Sequence, residues 1–296
     1  MRRKIMQIRD STQLVSLPRK WAMSYGLRKG DEVEVTESGR SLCISPVGKP
    51  VQKKVELTIA SSDKFLRRML WSPYIQGVTE MKVNFSDRKV FEKVSAEVNL
   101  LIGWEIISQG ATSCTIKSVA TALENDLGAV IERLFSSTAS MMEEMLAAIK
   151  AKQYGQLDSL GMLEETNNKL TYFSLRLLME RGYSEPAKTP AVYFIVLLVE
   201  QIVDELRDIC GYLVESKLQP RDSALHLFRE TLHCFEQSHV LFKEFSPEAF
   251  FSHNTKVKEL GKRIEQELEK PSKDGPVLAR LHSALNMIWH ISKEFH

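Results

Sequence analysis

Hydrophobic and polar positions alternate over the first fifty residues, and the period then changes. KIMQI and QLVSLP read as short strands, the second ended by Pro18. RKWAMSYG makes two helical turns stopped at Gly26, where a left-handed C-cap suits glycine. KGDEVEV supplies a tight turn and a strand, and SLCISP a further strand after the turn at Gly39. From about 55 to 119 the order is strand, helix, strand, helix, strand, strand. KVELTIA and TEMKVNF are the first two strands; DKFLRRMLWSPYIQG and DRKVFEKVSAEVNLLIG are amphipathic helices opened by Asp63 and Asp87; WEIISQG and SCTIKSV form a closing hairpin. Beyond Thr121 the spacing is helical throughout. It predicts helices over 124–151, 154–182 and 189–217, then 221–244, 247–269 and 275–296. Pro190 stands in the first turn of the third helix, Ser246 N-caps the fifth ahead of Pro247, and KPSKDGP breaks the chain before the sixth.

Four regions follow: 1–48, 55–119, 121–218 and 220–296. The fold expected is mainly α, with an N-terminal β domain, a small α+β middle domain of one sheet with helices on one face, and two successive three-helix units that suggest an internal repeat. Some fifty residues of short strands around one helical turn bury too little apolar surface to stand alone. The first region therefore calls for a partner subunit, and the middle one for a role in coupling or oligomerisation.

Charge sharpens the contrast between the front and the rest. Residues 1–54 hold twelve Lys or Arg against five Asp or Glu, a net +7, so the remainder carries −5 of the overall +2. Arg2, Arg3, Lys4, Arg9, Arg19 and Lys20 face only Asp10 in the first twenty residues. A small basic module on an acidic body suits either phosphate contact or a solvated basic tail. The longest apolar run, AVYFIVLLV from Ala191 to Val199, is nine residues long, where a membrane span needs about twenty. MRRKIMQIRD lacks the apolar core of a signal peptide, and Cys43, Cys114, Cys210 and Cys234 form no CxxC pair. A soluble cytoplasmic protein with reduced thiols and no membrane insertion is expected. GxSxG, HExxH, Walker and GxGxxG motifs are absent, so catalysis is not expected.

The third predicted helix of the 121–218 region carries the most suggestive side chains. Ile195, Leu198, Ile202, Leu206, Ile209 and Leu213 make one core stripe, and Glu200, Asp204 and Asp208 recur every four residues opposite it. Such a row repels itself. It belongs either on a solvated face or under a hard cation such as Mg²⁺, Mn²⁺ or iron. All seven histidines lie in the last region. His226, Glu230 and His233 share a helix face that reads as surface, whereas His239 falls on the apolar stripe.

The segment running from VSLPRKW through YGLRKGDEVEV resembles the AbrB/MazE-like swapped-hairpin domain, in which two chains interleave into one small barrel. The resemblance implies a homodimer through residues 1–48. It also implies DNA contact through Arg2, Arg3, Lys4, Arg9, Arg19 and Lys20. Ala22 and Met23 depart from it, standing on the short helix where such proteins often carry arginine. EQIVDELRDI in turn resembles the E-x-I-x-D-x-x-x-N/D-I motif of the PhoU family, whose fold is two pseudo-symmetric three-helix bundles. LEETNNKLTYFSLRLLMERG resembles that family's second helix, with Glu165 and Asn168 as its acidic/Asn pair. The resemblance implies regulation of phosphate uptake and a divalent metal (Mg, Mn or Fe) on Glu200, Asp204 and Asp208, with Glu165 and Asn168 as further candidates. In the second, degenerate repeat LHSALNMIWHI puts His282, Asn286 and His290 in the corresponding places, while Leu281, Leu285, Ile288 and Phe295 keep the core stripe. There a metal site is either lost or changed to nitrogen ligands. Archaeal PhoU-like regulators carry an AbrB-like head of this kind.

The function expected is a DNA-binding transcriptional regulator of phosphate homeostasis with a sensing or docking body. The alternative is a cytoplasmic adaptor that restrains a phosphate transporter or sensor kinase, its head serving only to dimerise.

Overall fold

The computed structural model describes residues 2–8, 12–38, 41–47, 53–60, 65–119 and 126–294. The chain divides into two compact units, Met1–Lys54 and Val55–His296.

The first unit consists of two hairpins flanking a short helix. Strands β1 (Met6–Ile8) and β2 (Thr12–Leu14) pair antiparallel; α1 spans Arg19–Ser24; β3 (Val33–Ser38) and β4 (Ser41–Pro46) make the second antiparallel pair. The end of α1 is fixed by backbone chemistry. Leu27 N–H donates to the Ala22 carbonyl (2.9 Å) and Gly26 N–H to that of Met23 (3.1 Å), with Gly26 at φ +64°. This is the Schellman arrangement, and the left-handed residue it needs is the glycine. Gly30, at φ +95°, takes the third place of the following turn, which Asp31 closes by accepting from Arg28 N–H at 2.8 Å.

Register puts the apolar residues of each hairpin on one side. Met6, Ile8 and Leu14 share a face, with Gln7 opposite Gln13 on the other; Val33 and Val35 lie across from Pro46 and Ile44, with Leu42 beside them. None of the unit's described residues is buried.

The second unit opens with a four-stranded sheet. Its elements are β5 (Lys54–Ile59), α2 (Leu66–Ile75), β6 (Glu80–Phe85), α3 (Arg88–Val98), β7 (Trp104–Gln109) and β8 (Ser113–Ser118), with strand order β5-β6-β8-β7. Alternation on β6 turns Met81, Val83 and Phe85 to the core and leaves Lys82 outside. Asp87 caps α3 by accepting from Lys89 and Val90 N–H. The capping role expected of Asp63 lies outside the described residues.

Seven α-helices follow among the described residues: α4 (Leu127–Lys150), α5 (Tyr154–Ser159), α6 (Gly161–Arg181), α7 (Thr189–Ser216), α8 (Asp222–Lys243), α9 (Pro247–Leu268) and α10 (Gly275–Glu294). The single helix expected over 154–182 is thus two. The chain steps at Leu160, where Ser159 turns its hydroxyl back on the Gln156 carbonyl (2.7 Å) and Gly161 follows, both poor helix formers. Ser246 caps α9 from the expected position, and Pro247 takes its first turn. Helix α10 packs along α7, α8 and α9, while α4 reaches both α6 and α8. The two expected three-helix units accordingly share one continuous core. Of the stripe expected on α10, Leu281, Leu285 and Ile288 are buried; Phe295 lies outside the described residues.

The sheet layer is keyed to the helices through α6. Phe173 and Leu177 enter the sheet's hydrophobic core, and Arg176, 5% exposed, lies between them.

Candidate nucleic-acid interface and acidic cluster

The described basic residues at the front of the first unit lie in solvent. Arg2, Arg3 and Lys4 precede β1 and are exposed, and Arg19 and Lys20 open α1 with their side chains in solvent. Arg9 lies outside the described residues. The rest of α1 offers no base: Ala22 is half-buried, and Met23 is 68% exposed.

The acidic row on α7 lies between solvent and the buried side of the helix, Asp204 and Asp208 keeping about two-fifths of their side chains exposed. Helix α7 buries Val192, Val196, Val199, Val203 and Cys210 in addition to the expected stripe, so its apolar arc is wide and the carboxylates fall at its edge, against α6. Glu200 and Asp204 are half-buried there. The Tyr172 hydroxyl donates to Glu200 Oε1 at 3.4 Å, and the same tyrosine meets Trp71 of α2 edge-on, ring centroids 3.9 Å apart. Burial, reinforced by the neighbouring Asp204, pushes the Glu200 carboxyl up to about 7. Asp204 is raised as well, first by burial and then by Glu164 and Asp208, against the opposing pull of Arg207.

Arg207 fills the middle of the cluster. Its Nη1 donates to Asp204 Oδ1 at 2.6 Å and to Glu164 Oε1 at 3.0 Å; Nη2 and Nε reach Asp208 Oδ1 at 3.1 and 3.2 Å. Arg280, from α10, pairs with Asp208 Oδ2 at 2.7 Å and Glu205 Oε2 at 2.9 Å, and Ser283 donates to the other Glu205 oxygen at 2.7 Å. Three helices are joined through these carboxylates. Arg207 and Arg280 are the residues that the spacing argument missed. The signal was present, since an arginine three residues after Asp204 and beside Asp208 lies on the same face.

Glu165 does not join that cluster, and Asn168 touches it only at Glu164. They line a cleft of about 340 Å³ between α6 and the sheet layer, together with Glu164, Arg67 and Glu97. Arg67 donates to both Glu97 oxygens (3.2 and 3.0 Å), Lys169 pairs with Glu165 at 3.5 Å, and Asn168 reaches Glu164 at 3.5 Å.

The candidates on α10 disperse. His282 faces Glu265 at 3.4 Å, Asn286 is exposed, and His290 packs its ring against Trp289. On α8, His226 pairs with Glu230 at 2.6 Å, a carboxylate that also takes a two-pronged contact from Arg263, and His233 lies 3.6 Å from Glu236. His239 stacks on Phe135 with centroids 4.5 Å apart and bonds Glu132 at 3.0 Å. Among the described residues no three His, Cys, Asp or Glu side chains are grouped as a metal ion requires. Nor is any described helix long and apolar enough to cross a membrane.

Comparison with known proteins places one part of the chain. No curated protein and no solved structure matches it significantly. Residues 10–52 match the family model of antidote-toxin recognition MazE, a bacterial antitoxin, so the first unit carries a domain of the MazE/AbrB-like type.

Proposed function

We propose that this protein is a dimeric, DNA-binding transcriptional regulator of phosphate homeostasis, with the first unit on DNA and the helical body receiving the signal. The observation that carries the DNA assignment is the pairing of a MazE/AbrB-like segment with exposed basic side chains at Arg2, Arg3, Lys4, Arg19 and Lys20. Lysines and arginines placed just before a strand and at a helix start favour contact with phosphates over reading of base edges. The phosphate assignment rests on the likeness of EQIVDELRDI and LEETNNKLTYFSLRLLMERG to PhoU-family helices. In this reading the body does no chemistry; it docks a partner, such as a phosphate transporter or sensor kinase, or takes up a small ligand.

The test is binding of the full chain to fragments of its own genome across a salt series. Each phosphate contact contributes about −0.9 to the slope of log affinity against log salt. Replacing the five basic residues with alanine is expected to weaken binding and flatten that slope while the oligomeric mass stays the same. Genome-wide occupancy at high and low phosphate then tests the regulatory half. The exposed Met23 on α1 favours a second reading, in which the head only joins subunits and the protein is an adaptor. Absence of binding to any fragment at low salt would put that reading first.

A further inference from the structure

The PhoU-like motif on α7 implies a hard divalent cation on Glu200, Asp204 and Asp208, and the side chains around those carboxylates do not fit one. We propose that the Arg207 guanidinium is itself the cation of this cluster, a permanent internal counter-ion that ties α6 to α7 and makes the body indifferent to divalent metal at that face.

The geometry supports the exchange atom by atom. A hard divalent ion takes carboxylate oxygens at about 2.0–2.6 Å from its centre. Glu164 Oε1, Asp204 Oδ1 and Asp208 Oδ1, the oxygens that converge at one point, all accept from Arg207 at 2.6 to 3.2 Å. The second Asp208 oxygen and both Glu205 oxygens are taken by Arg280 and Ser283. A metal ion entering the cluster would therefore have to displace the guanidinium or share its space at like charge. Arginine cannot yield by losing its proton, because its pKa lies above about 12. A lysine in this place could. The fork also does what a metal does mechanically, drawing carboxylates from two helices to one point.

Glu200 belongs to the same motif but stands apart from this point. Its resolved hydrogen bond goes to Tyr172, and Arg207 reaches the other three carboxylates instead. The first carboxylate of the motif is thus turned toward Tyr172, away from the point where Arg207 gathers Glu164, Asp204 and Asp208.

The experiment is a Mn²⁺ titration of the full chain, following the free-ion signal by electron paramagnetic resonance, with thermal melts in parallel. Wild type is expected to show no saturable Mn²⁺ binding and no shift in melting temperature. Arg207→Ser vacates the cluster, and is expected to bind one Mn²⁺ per chain and gain melting temperature as the metal is added. Adding Asp204→Asn to it should abolish both effects. Saturable binding by wild type that disappears in Asp204→Asn would overturn the proposal. So would a folded Arg207→Ser chain that remains blind to Mn²⁺, since the guanidinium would then not be standing in for a cation. If Arg207→Ser does not fold, the wild-type titration decides alone, with binding that is lost in Asp204→Asn counting against and its absence in favour.

Discussion

Arg176 of α6 donates from one guanidinium nitrogen to the carbonyl of Tyr74, 2.7 Å away, and to that of Val78 at 2.9 Å. Both carbonyls lie at or just beyond the end of α2, where backbone acceptors run out of intrahelical donors, and that of Tyr74 also takes the Gly77 N–H at 3.1 Å. The guanidinium also lies 4.9 Å from the Tyr74 ring and 5.6 Å from that of Trp104, and its second nitrogen pairs with Glu180 at 2.8 Å. Glu180 in turn folds over Gly77, whose left-handed backbone (φ +74°) and lack of a β-carbon leave the room; a β-carbon there would meet Glu180 at 3.0 Å.

Removing this guanidinium takes a donor from two carbonyls and leaves the partly buried Glu180 carboxylate without its arginine. Arg176→Met is expected to cost about 3 kcal/mol, at the lower end of what breaking a buried ion pair costs. Arg176→Lys should recover only part of that, because a single ammonium cannot hold the two carbonyls and Glu180 at once. Urea unfolding of the full chain measures both. In the methionine variant the sheet layer should also melt ahead of the helices, so that tryptophan fluorescence and helical circular dichroism no longer coincide.

The first unit yields an expectation about assembly. Val35 and Leu42 are 54% and 64% exposed on the apolar face of the second hairpin, a face that no described residue of the unit buries. Placing glutamate at both positions should leave an isolated chain unharmed. If a second copy covers the face, each buried side chain contributes about 1.5–3 kcal/mol, so the dimer should weaken by at least about tenfold. Light scattering at low micromolar concentration reads the outcome. A variant that keeps its wild-type mass would mean the face is not a subunit contact.

What could be read in advance was what local chemistry decides. Gly26, Asp87 and Ser246 act where their backbone positions foretold, because a cap is settled within four residues. The core stripe of α7 was legible for the same reason. Its second apolar arc, Val192 through Val203, was harder to see. Periodicity marks the strongest face of a helix, while the number of neighbours is set by tertiary packing. That is why Glu200 and Asp204 could be assigned to solvent or metal but not to the side of α6. The insertion of β8 between β6 and β7 likewise depends on pairings some thirty residues apart, as Met81 with Ile116. Arg176 carried only the local signal of Glu180 four residues on, while the carbonyls it binds lie about a hundred residues away.

Glu200 gives the body a pH dependence of definite sign. Its carboxyl titrates near 7 in the folded protein, raised chiefly by burial, and at the ordinary 4.5 once unfolded. The folded state therefore binds the proton more tightly. Glu200 contributes no penalty below about pH 4.5, an increasing one as pH rises to 7, and a constant one above. Allowing for partial solvent screening, Glu200→Gln is expected to stabilise the protein by about 1 to 2 kcal/mol at pH 8 and hardly at all at pH 4.5. Melting temperatures across that range, wild type against variant, should converge on acidification. Parallel curves would count against a proton held at Glu200.

His253 should act in the opposite direction. It lies on the inner face of α9, 3% exposed, and neither ring nitrogen finds a hydrogen-bond partner among the described residues. Burial first, then the nearby charges of Lys256 and His233, push its pKa from 6.5 down to about 4. The imidazole is therefore neutral in the folded chain at every pH above that value, while the unfolded chain takes up a proton below 6.5. Its stabilising contribution is whole above pH 6.5 and is lost progressively as pH falls toward 4, which amounts to about 2 kcal/mol between pH 7 and 5. Replacing it with leucine keeps the volume, removes the titration, and removes two unsatisfied ring nitrogens whose burial costs about 1 kcal/mol or more each. His253→Leu is thus expected to be more stable than wild type at pH 7.5, and the margin should widen by about 2 kcal/mol at pH 5. Denaturant midpoints at the two pH values decide the matter. A margin that stays constant would show that this histidine is not the group whose protonation loosens the α8–α9 pair.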